Sequence, residues 1–125
     1  MNNSIGILYV DDEPINLQLF KINLGNKYNV FTANSGSNAL EVLAEFKKQI
    51  NVIVSDFRMA RMSGIELINT AKLKYPSIYC YMLTGFDNNK EIDEAIDKGT
   101  LKKCFRKPFN MVEIEYEMKA IGGSM

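Results

Sequence analysis

Five short apolar runs, each stopped by a polar or turn residue, alternate with five stretches whose apolar residues recur at helical spacing. The runs lie at residues 5–10 (IGILYV), 28–33 (YNVFTA), 50–55 (INVIVS), 78–83 (IYCYML) and, shortest, 103–106 (KCFR). No other feature narrows the fold as far. Near-continuous apolar strands are those of a parallel sheet buried on both sides, and intervening helices are what cover it. The chain is therefore expected to be α/β, a doubly wound (βα)5 domain with a five-stranded parallel sheet and helices on both faces. The 28–33 run is less uniformly apolar and belongs nearer an edge.

Within this frame the helix boundaries carry their own signals. Pro14 suits a first turn, Ile15, Leu19 and Ile22 follow at helical spacing, and Gly25 fits the end. Ser35, Gly36 and Ser37 open a second helix with Ala39, Leu43 and Phe46 on one face. Ser63 and Glu66 match a capping box, which places a third helix with Ile65 and Ile68 inward. Asp87 or Asn88 caps a fourth, whose stripe (Ile92, Ala95, Ile96) is thin and which Gly99 closes. Asn110 and Glu113 suggest a cap for the fifth, with Ile114, Met118 and Ile121 inward. Residues 1–121 read as one domain and 122–125 (GGSM) as a flexible tail with nothing to pack.

Composition removes several function classes. Fifteen basic and fifteen acidic residues cancel, so no global charge points to nucleic acid or a membrane surface. The start MNNSIGILYV lacks the basic region of a signal peptide, and no apolar stretch is long enough to cross a bilayer. Cys80 and Cys104 read as buried free thiols of a reducing, cytoplasmic compartment. With no histidine, Ser-His-Asp and Cys-His catalysis and histidine-ligated metals are excluded, and any metal is a hard cation held by oxygens.

The chemistry gathers at strand ends. In a parallel α/β sheet every strand opens on one edge, where ligands bind. Asp11 and Asp12 follow the first strand, Asp56 the third, Thr84 the fourth and Lys107 the fifth. If the strand order is 2-1-3-4-5, the acids meet where the winding reverses. Taken singly, each has a plain structural reading: a helix cap, a loop acid, a turn, a solvated basic cluster. Their common register makes the combination specific. Clustered carboxylates repel, and Mg²⁺ removes that conflict while keeping waters and phosphate oxygens as further ligands. Lys107 adds positive charge and Thr84 a hydroxyl donor, so the set describes an electrostatic clamp on a phosphoryl group moving to Asp56.

The acid pair Asp11-Asp12, the SDFRM…MSG segment around Asp56, LTG at 83–85 and KPF at 107–109 together resemble the receiver domain of two-component response regulators, across essentially the whole chain. The resemblance implies the flavodoxin-like sheet order 2-1-3-4-5, with Asp56 as phosphoacceptor and Mg²⁺ bound by Asp11, Asp12, Asp56 and the backbone carbonyl of Arg58. Asp12 is then the more direct ligand and Asp11 acts largely through water. Thr84 becomes the switch hydroxyl and Lys107 the phosphoryl contact, often followed by a cis peptide at Pro108. The phosphoryl donor is implied to be a phosphohistidine on a sensor histidine kinase or phosphotransfer protein, supplied in trans. The domain would catalyse only its own phosphorylation and dephosphorylation. The responding surface is the fourth helix, fifth strand and fifth helix, which could also form a homodimer.

Three positions depart from the pattern or modulate it. Cys104 stands where the family usually carries a rotating aromatic, and Ala60 replaces a common loop proline. Phe86, two residues past Thr84, is expected to shield an acyl phosphate from water. Competing readings are a phosphorylation-independent docking scaffold of the same fold and, more weakly, a Mg²⁺-dependent phosphatase, whose paired acids on the first strand would stand two residues apart. The chain is either a stand-alone receiver or one part of a larger regulator.

Overall fold

The computed structural model describes residues 5–85 and 89–124. Five strands, β1 (Gly6–Val10), β2 (Asn29–Ala33), β3 (Val52–Asp56), β4 (Tyr79–Thr84) and β5 (Lys103–Arg106), alternate with five helices. The helices are α1 (Pro14–Leu24), α2 (Gly36–Phe46), α3 (Gly64–Lys74), α4 (Lys90–Asp97) and α5 (Met111–Ser124). The sheet is wholly parallel, in the order β2-β1-β3-β4-β5. The predicted fold class is thus the observed one, with the less apolar β2 at an edge.

Strand alternation divides the core in two. Leu8, Val10, Ile53, Cys80 and Met82 face Ala39 and Leu43 of α2, Leu67 and Ile68 of α3, and Ile92 of α4. Ile7, Tyr9, Val52, Val54, Tyr81 and Leu83 face Phe20 and Leu24 of α1 and Ile114, Met118 and Ile121 of α5. Both sides of β1, β3 and β4 are therefore apolar, which is why these strands read as unbroken runs.

The expected caps form at α2, α3 and α5. Ser35 Oγ accepts from Asn38 N, and Ser63 and Glu66 make both bonds of the capping box. Asn110 Oδ1 accepts from the amides of Val112 and Glu113. At α4 the cap is Asn89, whose side chain accepts from Ile92 N; the expected Asp87 and Asn88 lie outside the described residues. Gly99 ends that helix region with φ +82°, a conformation glycine adopts without a Cβ penalty.

Four expectations are corrected. Ile15, Leu19 and Ile22 do not face the core: they are 62%, 44% and 72% exposed, and α1 instead buries Phe20 and Leu24. Ile96 is 37% exposed, so only Ile92 and Ala95 of the α4 stripe are buried. Cys104 is half-buried rather than buried; both cysteines are free. Helix α5 continues through Gly122 to Ser124, and an added Cβ at Gly122 would come within 3.4 Å of Ile5. No helix among the described residues is long and apolar enough to cross a membrane.

Burial fixes the protonation of two core groups. It pushes the Cys80 thiol from its ordinary 9.0 up to about 12, and it raises the Tyr81 hydroxyl, with Glu117 nearby adding to that. A raised acid pKa means the folded state keeps a proton that the unfolded chain gives up. Its contribution to stability is complete below the unfolded pKa and shrinks as pH rises through the folded one. Urea midpoints should therefore fall between pH 9 and 12, and less steeply in Cys80→Val, which has no thiol to ionise at that position. Parallel decline of both proteins would contradict this account.

Candidate functional site

The parallel register sets the ends of β1 and β3 side by side, with Val10 opposite Ser55 and Asp56 opposite Leu83. Loops leaving both strands therefore start at one edge of the sheet. Asp11, Asp12 and Asp56 gather there, each with a carboxylate oxygen within 4.8 Å of the others'. Asp11 and Asp56 are buried and Asp12 is exposed. From the far side of the sheet, Lys107 reaches Asp56, Nζ to Oδ1 2.8 Å. Its backbone is tied in as well, since Lys107 N donates to the carbonyl of Thr84 at 2.8 Å. A cis peptide joins Lys107 to Pro108.

The structure thus brings together four of the six residues named from sequence: Asp11, Asp12, Asp56 and Lys107. Thr84 is buried at the end of β4, opposite Arg106 of β5. Arg58 is exposed in the loop two residues past Asp56. Phe86 lies outside the described residues.

Three carboxylates against one ammonium leave a strongly negative pocket. Burial raises the pKa of the Asp56 carboxyl above its usual value, and Asp11 and Asp12 push the same way, while the Lys107 hydrogen bond and charge oppose them. Burial would lower the Lys107 pKa, but Asp56, Asp11 and Glu13 outweigh it and the ammonium is held above its ordinary value. An all-oxygen donor set with excess negative charge suits a hard divalent cation. The residues present therefore fit Mg²⁺.

Several supporting groups escape a reading by motif. Tyr9 donates its hydroxyl to Asp11 Oδ2 at 2.8 Å, although as a strand residue it reads only as core. Burial, then Asp11, raises the Tyr9 pKa, so the hydroxyl stays a donor. Asn16 Nδ2 bonds both Asp11 Oδ2 and Glu13 Oε1. Ala60 N approaches Asp12 Oδ2 at 3.4 Å. The sequence signal for Tyr9 was a lone hydroxyl two residues before an acid, hence on its face of the strand.

Asp56 itself sits on a constrained backbone. Its carbonyl accepts from Ser55 Oγ at 3.0 Å, Phe57 N donates to Leu83 O, and Gly64 N donates to Phe57 O. A Cβ at Gly64 would collide with the Asp56 carbonyl and meet Met82 Sδ at 2.8 Å. A separate cavity of about 580 Å³ opens between Lys47, Tyr75 and Ile78, and no acid lines it. It lies beside the entry ends of β3 and β4, away from the carboxylates.

A family model for the response regulator receiver domain matches residues 7–119, and the chain belongs to that family. It is a signalling domain of two-component systems. It is 34% identical over 101 residues to the transcriptional regulatory protein ZraR of Escherichia coli O157:H7, a match covering 80% of this chain and 22% of that protein. Identity to the heme response regulator HssR of Staphylococcus aureus is 33% over 115 residues, covering 91% of this chain and 50% of the other. The chain therefore spans about a fifth to a half of these relatives. A response regulator receiver domain protein from Clostridium thermocellum superposes with a TM-score of 0.84 at 27% identity, covering 96% of this chain and 95% of that one.

Gly64→Ala should lower unfolding stability by about 1–3 kcal/mol, the usual cost of overpacking a tight contact. Urea titration at fixed m-value reads this, and a wild-type midpoint would refute the close approach.

Proposed function

We propose that Asp56 accepts a phosphoryl group from a partner phosphohistidine, on a sensor histidine kinase or phosphotransfer protein, within a cytoplasmic two-component phosphorelay. The observation that carries this reading is the meeting of Asp11, Asp12 and Asp56 with the Lys107 ammonium 2.8 Å from Asp56 Oδ1. In the transfer an Asp56 carboxylate oxygen forms the bond to phosphorus as the donor's nitrogen–phosphorus bond breaks. Imidazole leaves and an acyl phosphate remains. Asp11, Asp12, Asp56 and the Arg58 carbonyl would hold Mg²⁺, which when bound offsets the charge of the phosphoryl oxygens. Lys107 offsets part of the same charge from the β5 side. The domain thus promotes only its own phosphorylation and dephosphorylation.

On this reading Thr84 turns its hydroxyl toward the new phosphoryl oxygens and biases an equilibrium of the segment that follows. The α4-β5-α5 surface reports the change. Through it the domain would dimerise or bind a target, with Glu91, Asp93, Glu94 and Asp97 of α4 and the basic Lys102, Lys103 and Arg106 as the charges available for pairing.

The exposed row Ile15, Leu19 and Ile22 gives α1 an apolar outer face starting three residues beyond Asp12. That face suits a helix of the phosphohistidine partner, which must bring its imidazole to Asp56. The scaffold reading keeps one support: Cys104 is small, half-buried and weakly bonded to Phe105 O at 3.7 Å, so it provides no large ring to reorient. Beryllofluoride with Mg²⁺ separates the two. A switching receiver shifts its α4 NMR signals, and a constitutive scaffold leaves them in place.

Intact-mass measurement after acetyl phosphate and Mg²⁺ should show one added phosphoryl group, absent in Asp56→Asn. Persistence of the label in that variant would refute Asp56 as acceptor. Leu19→Arg should slow transfer from a phosphohistidine donor by about tenfold, as expected for a central interface residue, while leaving acetyl phosphate labelling unchanged. Equal slowing of both reactions would rule out the α1 docking face.

A further inference from the structure

Asp11 is held more tightly than a simple metal ligand requires. Its Oδ2 accepts from two side chains, Tyr9 OH at 2.8 Å and Asn16 Nδ2 at 3.2 Å, and its Oδ1 accepts from Glu13 N at 3.0 Å. A carboxylate has about four acceptor directions, so Oδ2 is filled by protein donors while Oδ1 keeps room for another partner. The stronger Oδ2 donor comes from the core. Tyr9 is 1% exposed, and its ring stacks on Phe20 of α1 with centroids 4.1 Å apart and planes 3° apart. Phe20 in turn meets Phe109, two residues past Lys107, at 5.5 Å.

We propose that Tyr9 is a positioning residue for the cation site: its hydroxyl turns Asp11 Oδ2 into the protein, presents Oδ1 to the cluster and thereby sets the affinity for Mg²⁺. The assignment rests on the metal-site reading above and deepens it. A neutral hydroxyl suits the task because it orients the carboxylate without cancelling the charge the cation needs. Groups that orient ligands from behind in this way typically change metal affinity by roughly 10- to 100-fold when removed. The ring is buried in the core, and that burial fixes where the hydroxyl stands.

Isothermal titration with MgCl₂ alone, on the whole chain, tests the proposal with four proteins. Wild type should bind, and Asp11→Asn should bind much more weakly. Tyr9→Phe, which keeps the ring, should weaken the dissociation constant by about tenfold. Phe20→Leu, which disturbs the stack but not the hydroxyl bond, should lose stability while binding Mg²⁺ like the wild type. In acetyl phosphate labelling, Tyr9→Phe should raise the half-saturating Mg²⁺ concentration by the same factor and leave the rate at saturating Mg²⁺ unchanged. That split distinguishes positioning from a structural defect. If Tyr9→Phe binds like the wild type, or if Phe20→Leu weakens binding equally, the role of Tyr9 is overturned while the metal site stands. If neither wild type nor any variant binds, the metal-site reading fails first and the Tyr9 assignment falls with it.

Discussion

Three negative charges gathered at one edge of a sheet are the constraint on which the structure depends. Left alone they would repel each other and the fold that collects them. Parallel register imposes the gathering, because β1 and β3 end side by side and the chain must leave both at the same edge. Lys107 answers it from β5, on the far side of β4, and its position needs β4 and β5 to pair in register. A slip in any one of these ladders would separate charges that now compensate. The order β2-β1-β3-β4-β5 is thus part of the electrostatics of the site as well as its architecture.

The same logic explains why so much could be read from the residues. Strand identity was legible because β1, β3 and β4 are buried on both faces, which leaves an unbroken apolar signature. The acids were legible because they fall at the ends of those signatures, and Lys107 because it follows the short fifth run at the same edge. The capping box of Ser63 and Glu66 is a local bond pattern and depends on nothing distant.

What was misread depends on distant packing. Helix α1 carries two rows at helical spacing, Ile15-Leu19-Ile22 and Leu17-Phe20-Leu24, and periodicity gives no reason to choose between them. The choice was made by Tyr9 and Phe109, whose rings receive Phe20. Tyr9 was passed over as a hydrogen-bond donor, since an aromatic in a buried strand reads first as core and its spacing to Asp11 is only a faint signal. The half-buried Cys104 and the extra turn of α5 likewise follow from neighbours that no local pattern announces.

The glycine at the start of α3 has a consequence for how a signal can leave this domain. With Gly64 pressed on the Asp56 carbonyl, Ser55 bonded to that oxygen and Phe57 tied to Leu83, the end of β3 is a fixed mount. The proposed chemistry at the Asp56 side chain would find little slack in its own backbone. A rearrangement at this edge of the sheet would have to come from the segments around Asp56, because the strand end that carries it is braced on every side the chain supplies.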